Sequence, residues 1–204
     1  GNVMKGFWKN DEATASTIVN GWLHTGDMGY IDEDGYLSVL GRFKSLLISA
    51  DGEKYSPEGI EESIVDLSSC IDQCMLHNNQ CAYTVALIAP NYNNLKAKLK
   101  HHHIKPDDPK YATEALNIIW KEVCQLRKGG SAQGMHPDRW LPATMAILPE
   151  PFTEQNKMLN STMKMVRPKV TEHYTDLINY LLTPEGKEIA NKHNINTITA
   201  NLKK

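Results

Sequence analysis

The sequence predicts an α+β fold: a small, mostly antiparallel sheet covered by helices, preceded by a short all-β segment. Two observations lead to this prediction. The first forty residues carry strand and turn patterns, and from Ser56 onward helical periodicity alternates with short runs of β-forming residues. The all-β opening is therefore predicted to form a different layer from the helical part of the chain, as at the end of a preceding domain.

Within the opening segment, the stretch GYLSVLGRF fits a strand, and DEDG before it is a hairpin-turn signal because Gly35 can take a positive φ. Asp27 is the unexpected residue, since it stands beside Gly26 in the strand-and-turn stretch GWLHTGDMGYIDEDGYL. Asp is unfavourable inside strands, and a residue that breaks the rule of a regular pattern is a candidate functional residue.

The helical pattern begins with Ser56 as a cap and Pro57 at the first helical position. Ile60, Ile64, Leu67 and Ile71 then recur at roughly helical spacing and predict one buried stripe. The later elements are predicted in this order: a hairpin in which QCMLH and CAYTVALIAP flank Asn78-Asn79, a helix over 111–127, a short strand in TMAILPEPF, a helix in RPKVTEHYTDLINYLL, and a last polar helix opening at Thr183-Pro184.

Composition excludes several classes of protein. The 204 residues are 41% hydrophobic and 23% charged, as in ordinary globular domains, and the net charge of −2 gives no reason to expect nucleic acid binding. No apolar run approaches the ~18 residues that span a bilayer, and no signal peptide opens the chain. We therefore expect a cytoplasmic protein without a transmembrane segment, for which peripheral membrane contact stays open.

The cysteine and histidine patterns predict no metal site. Cys70, Cys74, Cys81 and Cys124 fit neither a secreted disulfide framework nor paired zinc-binding C-x-x-C motifs, so reduced thiols are expected. The tract 101–103, three consecutive histidines, is expected to lie in a solvated loop.

Three stretches break local rules together and carry the resemblance to a family. They are WLHTGD, then LGRFKSLLISADGEKYSPEGIEE, then EPFTEQNKMLNSTMKMVRPK. They resemble, in order, the Y-x-T-G-D motif, the D/G-R-x-K…G-E-x-x-x-P-E-x-I-E motif and the L-x-T-x-x-K-x-x-R motif of AMP-forming acyl-CoA synthetases, in the adenylate-forming superfamily. GNVMKGFW at the start resembles a segment near the end of that family's large N-terminal domain. The resemblance covers nearly the whole chain.

The resemblance implies roles for three charged residues. Asp27 would grip the ribose of AMP, since a carboxylate can accept both hydroxyl protons. Arg42 would offer a planar fork to ribose and phosphate oxygens. Lys164 would be the catalytic lysine of adenylation, placing a positive charge between the attacking carboxylate and the α-phosphate. Without the resemblance, Asp27 would be interpreted as a solvated turn carboxylate, Arg42 as one partner of a surface salt bridge, and Lys164 as an exposed surface lysine.

The resemblance also implies a division of the chain and a moving part. Residues 1–43 would end the large N-terminal domain, and residues 44–204 would form a mobile lid domain that turns at a hinge, Lys44. The loop Ala50, Asp51, Gly52 and Glu53 would face the coenzyme A tunnel, where Gly52 suits a backbone that passes close to a ligand.

Two positions depart from the family pattern. Met163 stands directly before Lys164, where the common form of the motif has Gly. Lys157 interrupts the N-G-L of the long-chain subgroup.

The resemblance implies that the parent is a long-chain fatty acid–CoA ligase that uses ATP, Mg²⁺ and CoA. Its partners would be the fatty acid and an N-terminal domain of the same chain, because the family's phosphate loop occurs nowhere in these residues. The chain alone is therefore expected to be an inactive fragment. Alternatives are an acyl-acyl carrier protein synthetase, another adenylation domain, or a non-catalytic module with the adenylate-forming fold.

Overall fold

The protein is described by a computed structural model that covers residues 2–203, apart from the side chain of Leu40. The chain divides into two compact units, Gly1–Leu46 and Leu47–Lys204. This division falls three residues after the expected boundary between residues 43 and 44. The assignment of the units to a large domain and a mobile lid stays a prediction.

The first unit is built from short elements. Its helix is α1 (Asp11–Thr17), and its strands are β1 (Ile18–Val19), β2 (Trp22–Leu23), β3 (Asp27–Ile31) and β4 (Leu37–Arg42). β1 pairs with β2, and β3 pairs with β4, both antiparallel. The turn between β3 and β4 is the one that the sequence predicts: Gly35 has φ +86° and donates to the Asp32 carbonyl at 3.1 Å.

The expectation of an all-β opening misses α1. The side chain of Asn10 caps this helix by accepting from the backbone N–H of Ala13 at 2.9 Å. Asp11 and Glu12 in the first turn are favourable beside the positive end of the helix dipole. The helix has seven residues and buries none of them, so it leaves no apolar periodicity to read in the sequence.

The first unit keeps its apolar side chains exposed. No described side chain between residues 2 and 46 is buried. The most exposed large apolar groups in this unit are Trp8, Trp22, Tyr30, Ile31, Tyr36, Leu37, Val39 and Phe43. Several of them belong to the β3–β4 hairpin, which therefore presents a ribbon with apolar groups open to solvent.

The second unit holds the larger part of the secondary structure. Its strands are β5 (Leu47–Ser49), β6 (Lys54–Tyr55), β7 (Ile71–His77), β8 (Asn79–Cys81), β9 (Val85–Pro90) and β10 (Thr144–Ile147). Its helices are α2 (Glu58–Asp66), α3 (Tyr92–His101), α4 (Tyr111–Val123), α5 (Arg167–His173), α6 (Thr175–Leu181), α7 (Pro184–Lys187) and α8 (Lys192–Leu202).

The sheets of the second unit confirm the α+β class but are mixed rather than mostly antiparallel. β9 lies between β7, to which it is antiparallel, and β10, to which it is parallel. β5 likewise pairs antiparallel with β6 and parallel with β8. A parallel pair needs a long crossover, and α3 and α4 supply it between β9 and β10.

The core lies on both faces of the β7–β9–β10 sheet, and every residue of β9 is buried. On one face, apolar residues of α2, α3, α4 and α8 pack against the strands. On the other face, Phe152 and Met158 pack with residues of α5 and α6. A strand that is covered on both faces has a continuous apolar sequence, which matches VALIAP.

Several predicted element boundaries differ from those observed. The helix predicted in RPKVTEHYTDLINYLL is divided at Tyr174 into α5 and α6, and Thr183 caps only the four-residue α7. The last helix, α8, is capped instead by Asn191. His101 ends α3 rather than lying in a loop, and Ser56 donates to the Glu58 carboxylate instead of capping α2.

Candidate functional site

The β3–β4 hairpin places Asp27 directly opposite Arg42. Nε of Arg42 lies 3.0 Å from Oδ1 of Asp27, and Nη1 of Arg42 donates to the carbonyl of Thr25 at 2.9 Å. The side chain of Arg42 is 62% exposed and that of Asp27 is 38% exposed. A carboxylate offers about four lone-pair sites, so this ion pair leaves acceptor capacity on Asp27 for a ligand.

The backbone around Gly26 fixes where Asp27 enters β3. Gly26 has φ +76°, a left-handed conformation that favours glycine, and its carbonyl accepts from the N–H of Phe43 at 2.8 Å. The hydroxyl of Thr25 accepts from the N–H of Asp27 at 3.1 Å. Each residue of the T-G-D stretch thus has a structural role beside any role in binding.

Lys164 lies on a tight loop that a single side chain organises. Oδ1 of Asn160 accepts from the N–H of Thr162 at 3.0 Å and from the N–H of Lys164 at 2.9 Å. The N–H of Asn160 donates back to the Lys164 carbonyl at 2.9 Å, and a β-bridge joins Leu159 to Met165. Lys164 is exposed beside the turn of this loop, so its ammonium group is accessible to a ligand.

Both departures from the glycine-containing family pattern occur at positive φ. Met163 has φ +59° and Lys157 has φ +61°. This is the left-handed region, which glycine enters at little cost and other residues enter at roughly 1–2 kcal/mol. The loop backbone therefore takes the conformation that suits glycine, although the chain has Met and Lys at these two positions.

A buried ion pair connects the second and third motif segments. The guanidinium of Arg167, at the start of α5, pairs with the carboxylate of Glu61 on α2. Oε1 of Glu61 also accepts from the N–H of Leu76 in β7 at 2.6 Å. Burial raises the pKa of Glu61 above its usual value, although Arg167 opposes this rise. The pair fixes the base of the Lys164 loop against the sheet.

The loop of Ala50, Asp51, Gly52 and Glu53 is the turn between β5 and β6. The N–H of Gly52 donates to the Ser49 carbonyl at 2.9 Å, and the N–H of Ser49 donates to the Glu53 carbonyl at 3.0 Å. The Asp51 carboxylate accepts from the Ser49 hydroxyl, which is the main reason that the pKa of Asp51 is lowered. Gly52 has φ +83° and open space where a side chain would begin.

Glu53 is held by two residues that sequence reasoning did not identify. Nε and Nη2 of Arg139 donate to its two carboxylate oxygens at 2.7 and 2.6 Å, and the indole N–H of Trp140 donates at 2.9 Å. These hydrogen bonds, from Arg139 first and then Trp140, lower the pKa of Glu53. Arg139 and Trp140 belong to a 3₁₀ turn, Asp138–Trp140, whose sequence has no periodic or motif signal.

Lys44 occupies the middle of a 3₁₀ turn, Phe43–Ser45, flanked by the extended residues Arg42 and Leu46. It is exposed and lies two residues before the division between the units. Among the described residues, no hydrogen bond or ion pair joins the Lys164 loop to residues 50–53. Within the second unit, the Lys164 loop and the turn of residues 50–53 are therefore two separate local structures.

The described part of the chain has no cluster of three His, Cys, Asp or Glu side chains that could hold a metal ion. The four cysteines are free thiols, with Cys70 and Cys74 buried. Among residues 2–203, no helix has the length and apolar character that a membrane crossing requires.

Solved structures show which fold this chain shares. The adenylation domain of a carboxylate reductase from Mycobacterium chelonae superposes with a TM-score of 0.69 at 24% identity, over 87% of this chain and 26% of that one. The equivalent domain from Segniliparus rugosus, solved with AMP and a carboxylic acid, gives a TM-score of 0.64 at 21% identity, over 87% of this chain and 26% of that one. The fold is that of the C-terminal domain of adenylate-forming enzymes.

The curated relatives are named as acyl-CoA ligases or synthetases, and several of them as long-chain fatty acid–CoA ligases. The peroxisomal acyl-CoA ligase 891 of Penicillium roqueforti is 29% identical over 191 residues, covering 88% of this chain and 26% of its own length. The long-chain fatty acid–CoA ligase ACSBG1 of Rattus norvegicus is 28% identical over 201 residues, covering 86% of this chain and 26% of its own length. The chain thus spans about a quarter of these relatives. No protein-family model matches the sequence.

Proposed function

We propose that this chain is the C-terminal part of an AMP-forming long-chain fatty acid–CoA ligase. The parent would activate a fatty acid with ATP to acyl-AMP and then transfer the acyl group to the thiol of CoA. The observation that carries the proposal is the Asp27–Arg42 pair, because the hairpin sets two residues of separate motifs face to face. The names of the curated relatives support the long-chain substrate class.

In the first half-reaction, an oxygen of the fatty acid carboxylate attacks the α-phosphorus of ATP, and the bond to pyrophosphate breaks. Asp27 would accept from the ribose hydroxyls, while Arg42 keeps the carboxylate in place through its ion pair. Lys164 would place its ammonium group at the α-phosphate, where negative charge builds in the transition state. A lysine suits this task because it is a compact charge on a flexible stem.

In the second half-reaction, the CoA thiolate attacks the acyl carbon, and AMP leaves. The turn of residues 50–53 would approach the pantetheine chain with Gly52 at its tip, where a side chain is absent and the surrounding space is open. Lys44, in the short 3₁₀ turn before the second unit, would absorb the backbone change between the two half-reactions.

Mg²⁺ would enter this site with the phosphates of ATP. Mg²⁺ is usually held by one or two carboxylates together with substrate phosphates and water. We assign no ligand of the ion to the residues of this chain.

Activity would also need residues from outside these 204 positions. The sequence has no glycine-rich phosphate loop of the kind that cradles ATP, so we propose that the isolated chain makes no acyl-CoA. The acyl acceptor distinguishes the proposed ligase from an acyl-acyl carrier protein synthetase, because the ligase should acylate free CoA. A non-catalytic module would show neither half-reaction.

The test is the substitution Lys164→Ala in the full-length parent. Formation of acyl-AMP, measured by pyrophosphate release, should fall by at least about a hundredfold, because the charge at the α-phosphate is lost. Formation of acyl-CoA from supplied acyl-AMP should stay within about threefold of wild type, because the second unit is proposed to have turned at Lys44 before that step, which withdraws Lys164 from the phosphate.

The matched control is Lys169→Ala, an exposed lysine at the start of α5. This variant should leave both half-reactions close to wild type. An equal loss of both half-reactions in Lys164→Ala would contradict the proposal and assign Lys164 a structural role. A wild-type parent that forms no acyl-AMP from any fatty acid would contradict the enzyme function itself.

A further inference from the structure

The turn of residues 50–53 is closed internally, but its orientation depends on contacts to another part of the second unit. Within the turn, the Ser49 hydroxyl and the Glu53 N–H both donate to the Asp51 carboxylate. These bonds fix the shape of the turn and not its direction. Glu53 alone of the four residues bonds through its side chain to the 3₁₀ turn Asp138–Trp140, as far as the described residues show.

The contact between Glu53 and that 3₁₀ turn has the geometry of a two-point clamp. Arg139 makes two parallel N–H···O bonds, at 2.7 and 2.6 Å, which fix both the distance and the plane of the Glu53 carboxylate. Trp140 adds its indole N–H to Oε2 at 2.9 Å. Three donors on one carboxylate leave Glu53 little capacity to bind a ligand, so it serves to anchor the turn.

The clamp is itself fixed to the core. The ring of Trp140 stacks on Tyr55 of β6, with centroids 5.2 Å apart and planes at 6°. The Tyr55 hydroxyl is buried and bonds to Thr84 and Asn78. A continuous set of contacts therefore runs from the buried end of β9 through the aromatic stack to the turn.

Because Arg139 is exposed, its ion pair with Glu53 adds little to the stability of the fold. Its side chain is 63% exposed, and that of Glu53 is 30% exposed. Ion pairs this open to solvent contribute little to the stability of a fold. Yet the same pair sets the direction of the turn, and small displacements of a reacting group can slow a reaction by ~10²-fold. The arrangement suits positioning better than stability.

We propose that Arg139 and Trp140 are positioning residues for the acyl transfer to CoA. They hold Glu53 so that Gly52 at the tip of the turn presents its backbone to the pantetheine chain. This inference rests on the proposed function. It adds two residues that lie outside every motif of the chain, 86 and 87 positions from Glu53.

The experiment uses the full-length parent with Arg139→Met, which keeps a long side chain and removes all donors. Acyl-CoA formation from supplied acyl-AMP should lose at least about tenfold in kcat/KM for CoA, while acyl-AMP formation stays within about twofold of wild type. Arg139→Lys should recover only part of the loss, because an ammonium cannot reproduce the planar fork. Trp140→Phe keeps an aromatic ring without the N–H, and should give a smaller loss in the same half-reaction.

The control Lys128→Met removes an exposed cation from the same unit and should change neither half-reaction. A double substitution, Arg139→Met with Glu53→Gln, should be no worse than the more harmful single change, because both break one contact. Unchanged CoA transfer in Arg139→Met, an equal loss of both half-reactions, or additive losses would each overturn the inference.

Hydrogen exchange separates failure of this inference from failure of the proposed function. In the parent, the indole N–H of Trp140, which donates to Glu53, should exchange faster in Arg139→Met than in wild type, whether or not the enzyme turns over, because the carboxylate that accepts it is no longer held by Arg139. If wild type makes no acyl-CoA, the proposed function fails, and with it the role in CoA transfer. If exchange is unchanged in the variant, Arg139 does not hold the turn, and the inference fails alone.

Discussion

Individual residues carry backbone strain in the Lys164 loop. Met163 has φ +59° and a side chain that is 68% exposed, so it bears the left-handed cost without the compensation of burial. Met163→Gly should therefore raise the free energy of unfolding by about 0.5–1 kcal/mol, or the melting temperature by a few degrees. Thermal unfolding followed by circular dichroism measures this.

Met163→Ala separates strain from packing. Alanine removes the same exposed side chain but keeps a Cβ, so it should give no gain. Equal stability of the Gly and Ala variants would show that the backbone at this position is not strained.

The sequence predicts candidate site residues, but it does not predict the residues that support them. Asp27, Arg42 and Lys164 follow from motif patterns within short stretches. Arg139 was not predicted, because its partner Glu53 is 86 residues away and a single exposed arginine gives no local signal. Contacts between distant parts of the chain become visible only in the folded structure.

At the scale of elements, an ion pair between Lys98 and Glu122 joins α3 to α4. The buried carboxylate of Glu122 on α4 accepts from Lys98 on α3, from the Ser68 hydroxyl and from the N–H of Cys70 at 3.0 Å. Burial alone would raise the pKa of Glu122, but these donors outweigh it, and the pKa is lowered below the usual 4.5. The ionised carboxylate thus stabilises the folded state.

The lowered pKa of Glu122 predicts that the stability of the fold depends on pH. A carboxyl group whose pKa is lower in the folded state contributes stability above its unfolded pKa, which is lost as the pH falls through the folded value. Glu122→Gln should cost about 1–3 kcal/mol at pH 7, and the difference from wild type should shrink as the pH falls below 4.5. Urea unfolding of both proteins across pH 3–7 measures it. A difference that stays constant with pH would contradict this account.

The elements also show where sequence patterns fail. The α2 stripe and the buried β9 run were predicted because their apolar residues follow a simple period or a continuous run. α3 was not predicted, since only Leu95 and Leu99 of its ten residues are buried and polar residues dominate the rest. Without α3, the crossover that makes β10 parallel to β9 could not be foreseen.

At the scale of the whole molecule, the two units invite a test of motion between them. Phe43 lies in a 3₁₀ turn. A proline at position 44 would have a fixed φ, and it would favour extended conformations of the preceding residue, Phe43. Lys44→Pro in the parent should therefore retain acyl-AMP formation while CoA transfer falls by orders of magnitude. Measuring both half-reactions on one preparation checks this.

Lys44→Ala isolates the backbone effect, because it removes the charge and leaves φ free. It should change the ratio of the two half-reactions far less than Lys44→Pro does. If the proline variant keeps the wild-type ratio, position 44 is an ordinary exposed loop residue and the hinge lies elsewhere.

We expect the exposed apolar hairpin of β3 and β4 to promote self-association of this chain in concentrated solution. Apolar surface is exposed at Ile31, Leu37 and Val39 on the two strands and at Tyr36 beside them. The outer hydrogen-bonding groups of these strands could pair with another copy of the chain. A net charge of −2 provides weak colloidal repulsion against such pairing. We therefore expect the first unit, and not the buried core of the second unit, to limit how long the purified 204 residues stay monomeric.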